Sequence, residues 1–484
     1  MRNDDLKAKA ARGLFWGGLS NGIQQLLSLV IGIFLARLLT QADYGMVGVL
    51  AVFSSIASAL QEGGFISAIN KKKEVCHKDY NAVFWFSTLC SVCVYTILYM
   101  LAPLIADFYS EPQLVPLSRY LFIGFVISSL SVAPRAYLFR NLKVKETSII
   151  GISALAVSGI AGVSMAAMGF AYWGIATQTI VYVGVITVLN FHFAHWHPTL
   201  EFDFTPVRQM FGFSSKLIVT NVFTILNQNL FSNLLGRFYT VREVGNFTQA
   251  NKWNGMGHTL ITNMVNGVAQ PLFTKVEEDP ARQLAVFRKL LRFTAFFSFP
   301  LLLGLGFVSE ELIVIAITDK WIESAHILGI LCLWGAFIPI CTLFSNLLIS
   351  RGHSDIYMWC TIALCVLQAV AICLTHPFGL DVMLWTFTTI NILWLFVWYF
   401  FVRREIGLTL TDMFRDMSPY LLLTAALIAA CHLLFGTIGN VYVSIAVKIV
   451  FVGVLYVAIL WLAGSAILRE CIAFLAGRKE ADRS

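Results

Sequence analysis

Charge is what this sequence has least of. Only 13% of its 484 residues are Asp, Glu, Lys or Arg, while 58% are hydrophobic, with a mean hydropathy of +0.75. A soluble chain of this size needs far more charge on its surface, so a soluble fold is excluded. No polar stretch is long enough for an extramembrane domain. No Ser/His/Asp set, phosphate-cradling glycine loop or pair of catalytic acids stands in a suitable place. Asp and Glu lie almost entirely in short loops, which argues against a membrane-embedded enzyme. Cys90 and Cys93 form a C-x-x-C, but inside an apolar run, where a thiol is small filler and not a reactive group. His192, His195 and His197 have too few neighbouring carboxylates or thiols for a zinc site to be expected. The formal charge of +7 is scattered over loops, without the basic patch that nucleic acid requires.

What the chain does have is apolar segments of membrane-spanning length, repeated from end to end. About fourteen are expected, at 12–39, 43–66, 81–106, 114–133, 147–168, 171–191, 213–236, 244–268, 291–317, 325–349, 356–376, 380–402, 418–436 and 441–464. Only helices satisfy every backbone group within such segments, so the fold class is an all-α polytopic membrane protein. The first run, Leu14 to Leu39, is too long for a cleavable signal. Lys7, Lys9 and Arg12 precede it, and loops such as "NKKKEVCHKD", "PRAYLFRNLKVKE" and "RREIGLTLTDMFRD" alternate with cation-poor ones such as "DFYSEPQ" and "HPFGLD". The positive-inside rule then places both termini in the cytoplasm.

The two halves resemble each other. "SNGIQQLLSLVIGIFLARLLTQADYGMVGV" from Ser20 aligns with "TNVFTILNQNLFSNLLGRFYTVREVGNFTQ" from Thr220, pairing Asn21 with Asn221, Arg37 with Arg237, Asp43 with Glu243 and Gly45 with Gly245. Further on, Arg140 pairs with Arg351. The expected organisation is a six-helix bundle over 1–200, a second over 201–410, and two extra spans with a basic tail over 411–484. A basic segment near 278–292 reads as an amphipathic helix on the membrane surface or as a solvated extension of the ninth span. Because six is even, the halves are parallel repeats, an arrangement that binds substrate between halves and works by alternating access.

The stretches "GLFWGGLSNGIQQLLSLVIGIFLARLLTQADYG", "EGGFISAINKKKEVCHKDYNAVFWFS", "PRAYLFRNLKVKETSII" and "GFAYWGIATQ" resemble the polysaccharide transporter family. These are flippases of lipid-linked oligosaccharides within the multidrug/oligosaccharidyl-lipid/polysaccharide exporter superfamily. The resemblance implies a V-shaped pair of bundles and transfer of undecaprenyl-diphosphate-linked repeat units across the bacterial cytoplasmic membrane, for O-antigen, capsule or exopolysaccharide. It also implies work beside glycosyltransferases and a polymerase, and it supplies no short motif that fixes numbered site residues.

Such a substrate calls for cations to meet a diphosphate and amides to meet hydroxyls, since each amide both donates and accepts. At about 100° per residue, Asn221, Thr224, Gln228, Asn229, Ser232 and Asn233 share a broad face of the seventh span. Asn21, Gln24 and Gln25 form a shorter counterpart in the first, Asn263 lies on a polar face of the eighth, and Trp16 and Trp253 offer stacking surfaces. Polar groups in membrane helices also serve as glue between helices, at roughly 0.6–2 kcal/mol each. The whole stripe is more than helix pairing needs and is expected to line a cavity. Lys252 stands mid-span, where a cation costs at least about 2.5–3.5 kcal/mol, and it is expected to meet the diphosphate; snorkelling or structural pairing are its alternatives. Snorkelling is the expectation for Lys448. Arg37, Asp43, Arg237 and Glu243 occupy equivalent span ends, either as rim ion pairs or as a gate. Lys71, Lys72 and Lys73 serve topology and anionic headgroups. No cofactor is expected; the coupling ion is open. The alternative function is a cation-coupled multidrug antiporter, which should carry intramembrane carboxylates; Glu62 is the main candidate. A membrane glycosyltransferase or an assembly scaffold comes after it.

Overall fold

The structure is a computed structural model and describes residues 3–62, 69, 72, 75–436 and 438–475. Lys71, Lys73, the basic tail beyond Leu475 and the side chains of Lys7, Lys9, Arg12 and Glu62 lie outside the described residues. Among the described residues there is no strand. Contacts divide the chain into two compact units, Met1–Gly245 and Asn246–Ser484.

The first unit contains α1 (Asn3–Leu38), α2 (Gln41–Gly48), α3 (Ala51–Glu62), α4 (His77–Tyr109), α5 (Leu114–Ser129), α6 (Val132–Arg140), α7 (Val144–Ala167), α8 (Tyr172–Ala194), α9 (Thr205–Phe238) and the first turn of α10 (Val241–Lys275). The most extensive packing joins α7 to α8 and α1 to α7, and small residues permit it. Gly159 sits under Ile31, and Gly174 comes so near Gly162 that a Cβ there would fall 3.0 Å from the Gly162 carbonyl oxygen. Where lipid is as apolar as the side chains, close approach of this kind is what holds helices together. Helix α9 packs on α3 and α4.

The second unit holds the rest of α10, then α11 (Pro280–Phe307), α12 (Ser309–Ile317), α13 (Ile322–Gly335), α14 (Ile338–Ser350), α15 (Ser354–Thr375), α16 (Leu380–Ile406), α17 (Leu410–Phe435), α18 (Val441–Leu462) and α19 (Ala466–Leu475). Its core is α11, whose Phe287, Leu291, Phe299 and Leu302 are fully buried against α17, α13 and α14. Asp279 caps the start of α11 by accepting from the Arg282 amide, with Pro280 in the first turn. The basic segment 280–292 therefore runs straight into the apolar one as a single helix. Asp416, only 2% exposed, accepts two hydrogen bonds from Arg288 at 2.7 and 3.2 Å, and Arg288 also reaches Asp412 at 2.7 Å.

Eleven helices are long and apolar enough to cross a membrane, or twelve if the bent pair α5–α6 is one span, counted over the described residues. The fourteen read from the sequence include α9 and α10. These are 34 and 35 residues long, but their amides hold them below that hydropathy.

Two spans expected to be continuous are broken. The second divides into α2 and α3 at Val49–Leu50. The tenth divides at Ala336–Phe337 between α13 and α14, and "PRAYLFR", expected as loop after the fourth span, is instead the helix α6, set at 44° to α5. Proline accounts for the last two. Pro134 and Pro339 stand in the first turn of α6 and α14, and each ring excludes the carbonyl four residues earlier, at Leu130 and Gly335. Side chains bond to backbone close to both breaks, Ser298 Oγ donating to the Ala336 carbonyl at 2.7 Å and Thr187 Oγ1 to the Ile127 carbonyl at 3.1 Å.

Candidate functional site

Helix α9 carries the amide stripe on the first unit. Asn221 and Gln228 are exposed, so their amides are available to a ligand. Asn229 donates from Nδ2 to the Ile225 carbonyl at 2.9 Å, and Asn233 donates to the Asn229 carbonyl at 2.7 Å, each one turn back along α9. Asn233 also accepts through Oδ1 from the Tyr109 hydroxyl at 3.2 Å, which ties α9 to α4. Near the same end, Arg237 donates to the Phe108 carbonyl at 2.8 Å and lies 4.9 Å from the Phe108 ring centroid. The stripe thus divides: its first half is open, and its second half fastens the helix.

On α1, Asn21 is exposed and Gln25 half-buried. Gln24 donates to Ser20 Oγ at 2.8 Å and lies over Gly151 of α7, where a Cβ would stand 3.0 Å from Gln24 Oε1. Trp16 is approached by Lys145 at 5.7 Å from its ring centroid.

In the second unit, α10 has two polar faces. On one, Lys252 is half-buried and Asn263 exposed, and Trp253 stands half-buried beside Lys252. Lys252 has no hydrogen-bond or ion-pair partner among the described residues. A cation so placed has no counter-charge among those residues to offset it. Two other amides of α10 join helices. Asn246 donates to Glu323 and accepts from Ser324 Oγ at 3.0 Å, while Asn266 accepts from Asn346 at 2.9 Å. The buried face also carries Gln249 Oε1, Asn254 Oδ1, His258 Nδ1 and Thr262 Oγ1 without partners among the described residues.

The four span-end residues have local duties. Asp43 accepts from the Thr40 amide and hydroxyl at 2.8 and 2.7 Å, closing a capping box at the start of α2, and its second oxygen accepts from the Tyr172 amide at 3.1 Å. Glu243 does the same at the start of α10, accepting from the Thr240 amide at 3.0 Å and from the Thr240 hydroxyl. Arg37 is exposed at the end of α1. Between the two caps, within the first unit, α2 and the first turn of α10 cross at two glycines. A Cβ on Gly45 would fall on the Val241 carbonyl and 3.2 Å from Gly245 N, while one on Gly245 would fall on the Gln41 carbonyl and 3.1 Å from Gln41 Cα. The repeat equates Gln41 with Val241 and Gly45 with Gly245, so the contact is reciprocal.

Lys448 does not snorkel. It is paired with Glu311, which also accepts from Ser444 at 2.7 Å. Both charged side chains are largely enclosed, at 14% and 12% exposure, so the alternative to pairing is a bare charge out of water. The sequence hid this partner because Glu311, within the ninth expected span, lies 137 residues from Lys448. His192 and His195 stand with ring centroids 6.3 Å apart, and among the described residues no three His, Cys, Asp or Glu side chains gather as a metal-ligand group.

Comparison with known proteins agrees with a polytopic helical architecture. The structure is similar to one titled lipid II flippase MurJ, inward closed conformation, with a TM-score of 0.73 and 14% identity, covering 92% of this chain and 99% of that one. In sequence, the chain is 26% identical to the lipopolysaccharide biosynthesis protein WzxC of Escherichia coli over 72% of each protein. It is 23% identical to the teichuronic acid biosynthesis protein TuaB of Bacillus subtilis over 86% of each. A family model described as polysaccharide biosynthesis protein matches residues 34–326, more than half of the chain. The chain therefore belongs to the polysaccharide biosynthesis protein family of multi-pass membrane proteins.

Proposed function

We propose that this protein is a flippase that carries undecaprenyl-diphosphate-linked oligosaccharide repeat units across the bacterial cytoplasmic membrane by alternating access, supplying O-antigen, capsule or exopolysaccharide synthesis. The family match over residues 34–326 carries the reading. The fold it shares with a lipid II flippase fits the same work, as do the amide-bearing helices placed among apolar ones. Lys252 meets the diphosphate, with Trp253 next to it and Asn263 about three turns further along α10. Asn221, Gln228, Asn21, Gln24 and Gln25 offer hydrogen bonds to sugar hydroxyls, while Asn229 and Asn233, bonded within the protein, hold the helix that presents Asn221 and Gln228. Arg37, Asp43, Arg237 and Glu243 mark the ends of the spans that open and close. Both termini lie in the cytoplasm, 1–200 and 201–410 form the two moving bundles, and an ion gradient or the membrane potential drives the cycle. The glycosyltransferases and polymerase of the same pathway are the protein's neighbours. A multidrug antiporter would need carboxylates free to exchange ions within the spans, whereas Glu311 and Asp416 are each held by a cation.

Deleting the gene in a strain without a second flippase should strand lipid-linked repeat units on the cytoplasmic face. Unchanged surface glycan without glycolipid accumulation would sink the proposal. Lys252→Ala should cut transport by at least about tenfold, the loss of one charge-assisted contact, at normal membrane abundance, and Lys252→Arg should restore part of it. Full transport by Lys252→Ala would remove Lys252 from the mechanism.

A further inference from the structure

A two-part cavity lies within the second unit, away from α10. Its polar part, about 530 Å³, is bounded by Glu310, Glu311, His326, Trp385, His432 and Lys448. Its apolar part, about 380 Å³, is a slot between α11 and α18 floored by Gly304, Leu305, Ile449, Val452, Gly453 and Tyr456. Phe307 and Lys448 border both parts, so the two lie side by side with Lys448 on their shared wall. Its ammonium sits 4.6 Å from the Phe307 ring centroid.

The order of chemistry along this cavity is apolar slot, cation, then acids. Lys448 is already balanced by Glu311. That leaves Glu310, exposed and without a partner among the described residues, and the enclosed Glu311 Oε2, which also lacks a hydrogen bond. The polar end therefore calls for a donor-bearing cation, and the Trp385 ring adds a face suited to one. The junction calls for an anion, because an ammonium keeps two further donors after pairing once. The slot calls for a hydrocarbon chain. Tail, then phosphate, then primary ammonium is the sequence of groups in an aminophospholipid.

We propose that this cavity binds an amine-headed phospholipid of the surrounding bilayer, of the phosphatidylethanolamine class. One acyl chain lies in the α11–α18 slot, the phosphodiester meets Lys448 and His432, and the ammonium donates to Glu310 and Glu311. A glycerol headgroup has no cation for the acids, and a trimethylammonium has no donor. The site is separate from the residues assigned to the glycan carrier and holds whether or not that substrate is the right one.

The test is native mass spectrometry of the purified full chain in detergent, supplied with phosphatidylethanolamine and phosphatidylglycerol of identical acyl chains and, in a third arm, with undecaprenyl phosphate. Wild type should retain the ethanolamine lipid about tenfold over the glycerol lipid, the discrimination one charge-assisted hydrogen bond supplies. Glu310→Gln should bring the ratio to within about twofold. Gly453 has nothing within 4 Å of an added Cβ, so Gly453→Leu puts bulk into the slot and should lower retention of both lipids. A melting temperature near wild type checks its fold, and Glu310→Gln carries the test alone if that check fails. Equal retention of both headgroups by wild type overturns the proposal, as does a ratio that survives Glu310→Gln. Preferential retention of undecaprenyl phosphate assigns the slot to a polyprenyl chain and overturns it too. No transport is measured, so the result stands apart from that of the flippase reading.

Discussion

Asn221 and Asn233 differ by little more than three turns of one helix, yet the structure gives them different work. Asn233 is fixed by Tyr109 and by the α9 backbone, whereas Asn221 is exposed. Asn233→Leu should therefore destabilise the first unit by about 1 kcal/mol, the worth of a hydrogen bond between membrane helices. Asn221→Leu should leave stability unchanged and lower transport. Thermal unfolding in detergent beside a flipping assay separates the two; equal loss of stability in both would contradict the division. A helical wheel shows which residues share a face, and this much was legible. Which of them bond to a neighbour depends on what the fold brings against the face, and no local pattern encodes that. The same holds for Lys448, whose charge and depth were visible in the sequence while its partner on α12 was not.

At the scale of elements, the spans and their caps follow from hydropathy and from local chemistry such as Thr40–Asp43 and Asp279–Pro280. Breaks within spans were less legible, because an apolar run gives no sign of a bend unless its prolines are weighed. Pro134 and Pro339 were the available signal. The crossing of α2 with the first turn of α10 is the tightest demand in the first unit. Gly45→Ala and Gly245→Ala should each cost about 1–3 kcal/mol by overpacking against backbone. Gly18→Ala and Gly267→Ala meet nothing within 4 Å and should be neutral or slightly stabilising through helix propensity. Unfolding of the four variants under one condition checks the contrast, and indifference at Gly45 and Gly245 would refute it.

On the scale of the whole molecule, each compact unit has its own anchors, so damage to one should show first in that unit. In the second, Arg288→Met leaves Asp416 buried with Arg292 as its remaining cation, at 3.7 Å. Losing a partner from a buried pair costs about 3 kcal/mol. Hydrogen exchange should accelerate across α11 and α17, with protection of α7 and α8 retained; uniform acceleration over all 484 residues would argue for one cooperative unit instead. The repeat was legible as five aligned pairs, but its physical consequence was not. In the Gly45–Gly245 crossing, Gly45 meets Val241 and Gly245 meets Gln41, the pattern of an isologous interface in which a patch contacts its own copy. Such a patch has no distinct left and right sides. Exchanging "QADYG" with "VREVG" between the two positions should leave the crossing intact, although a change of either glycine alone breaks it. The two segments would then have been selected jointly, as one self-complementary surface held in two places along a single chain.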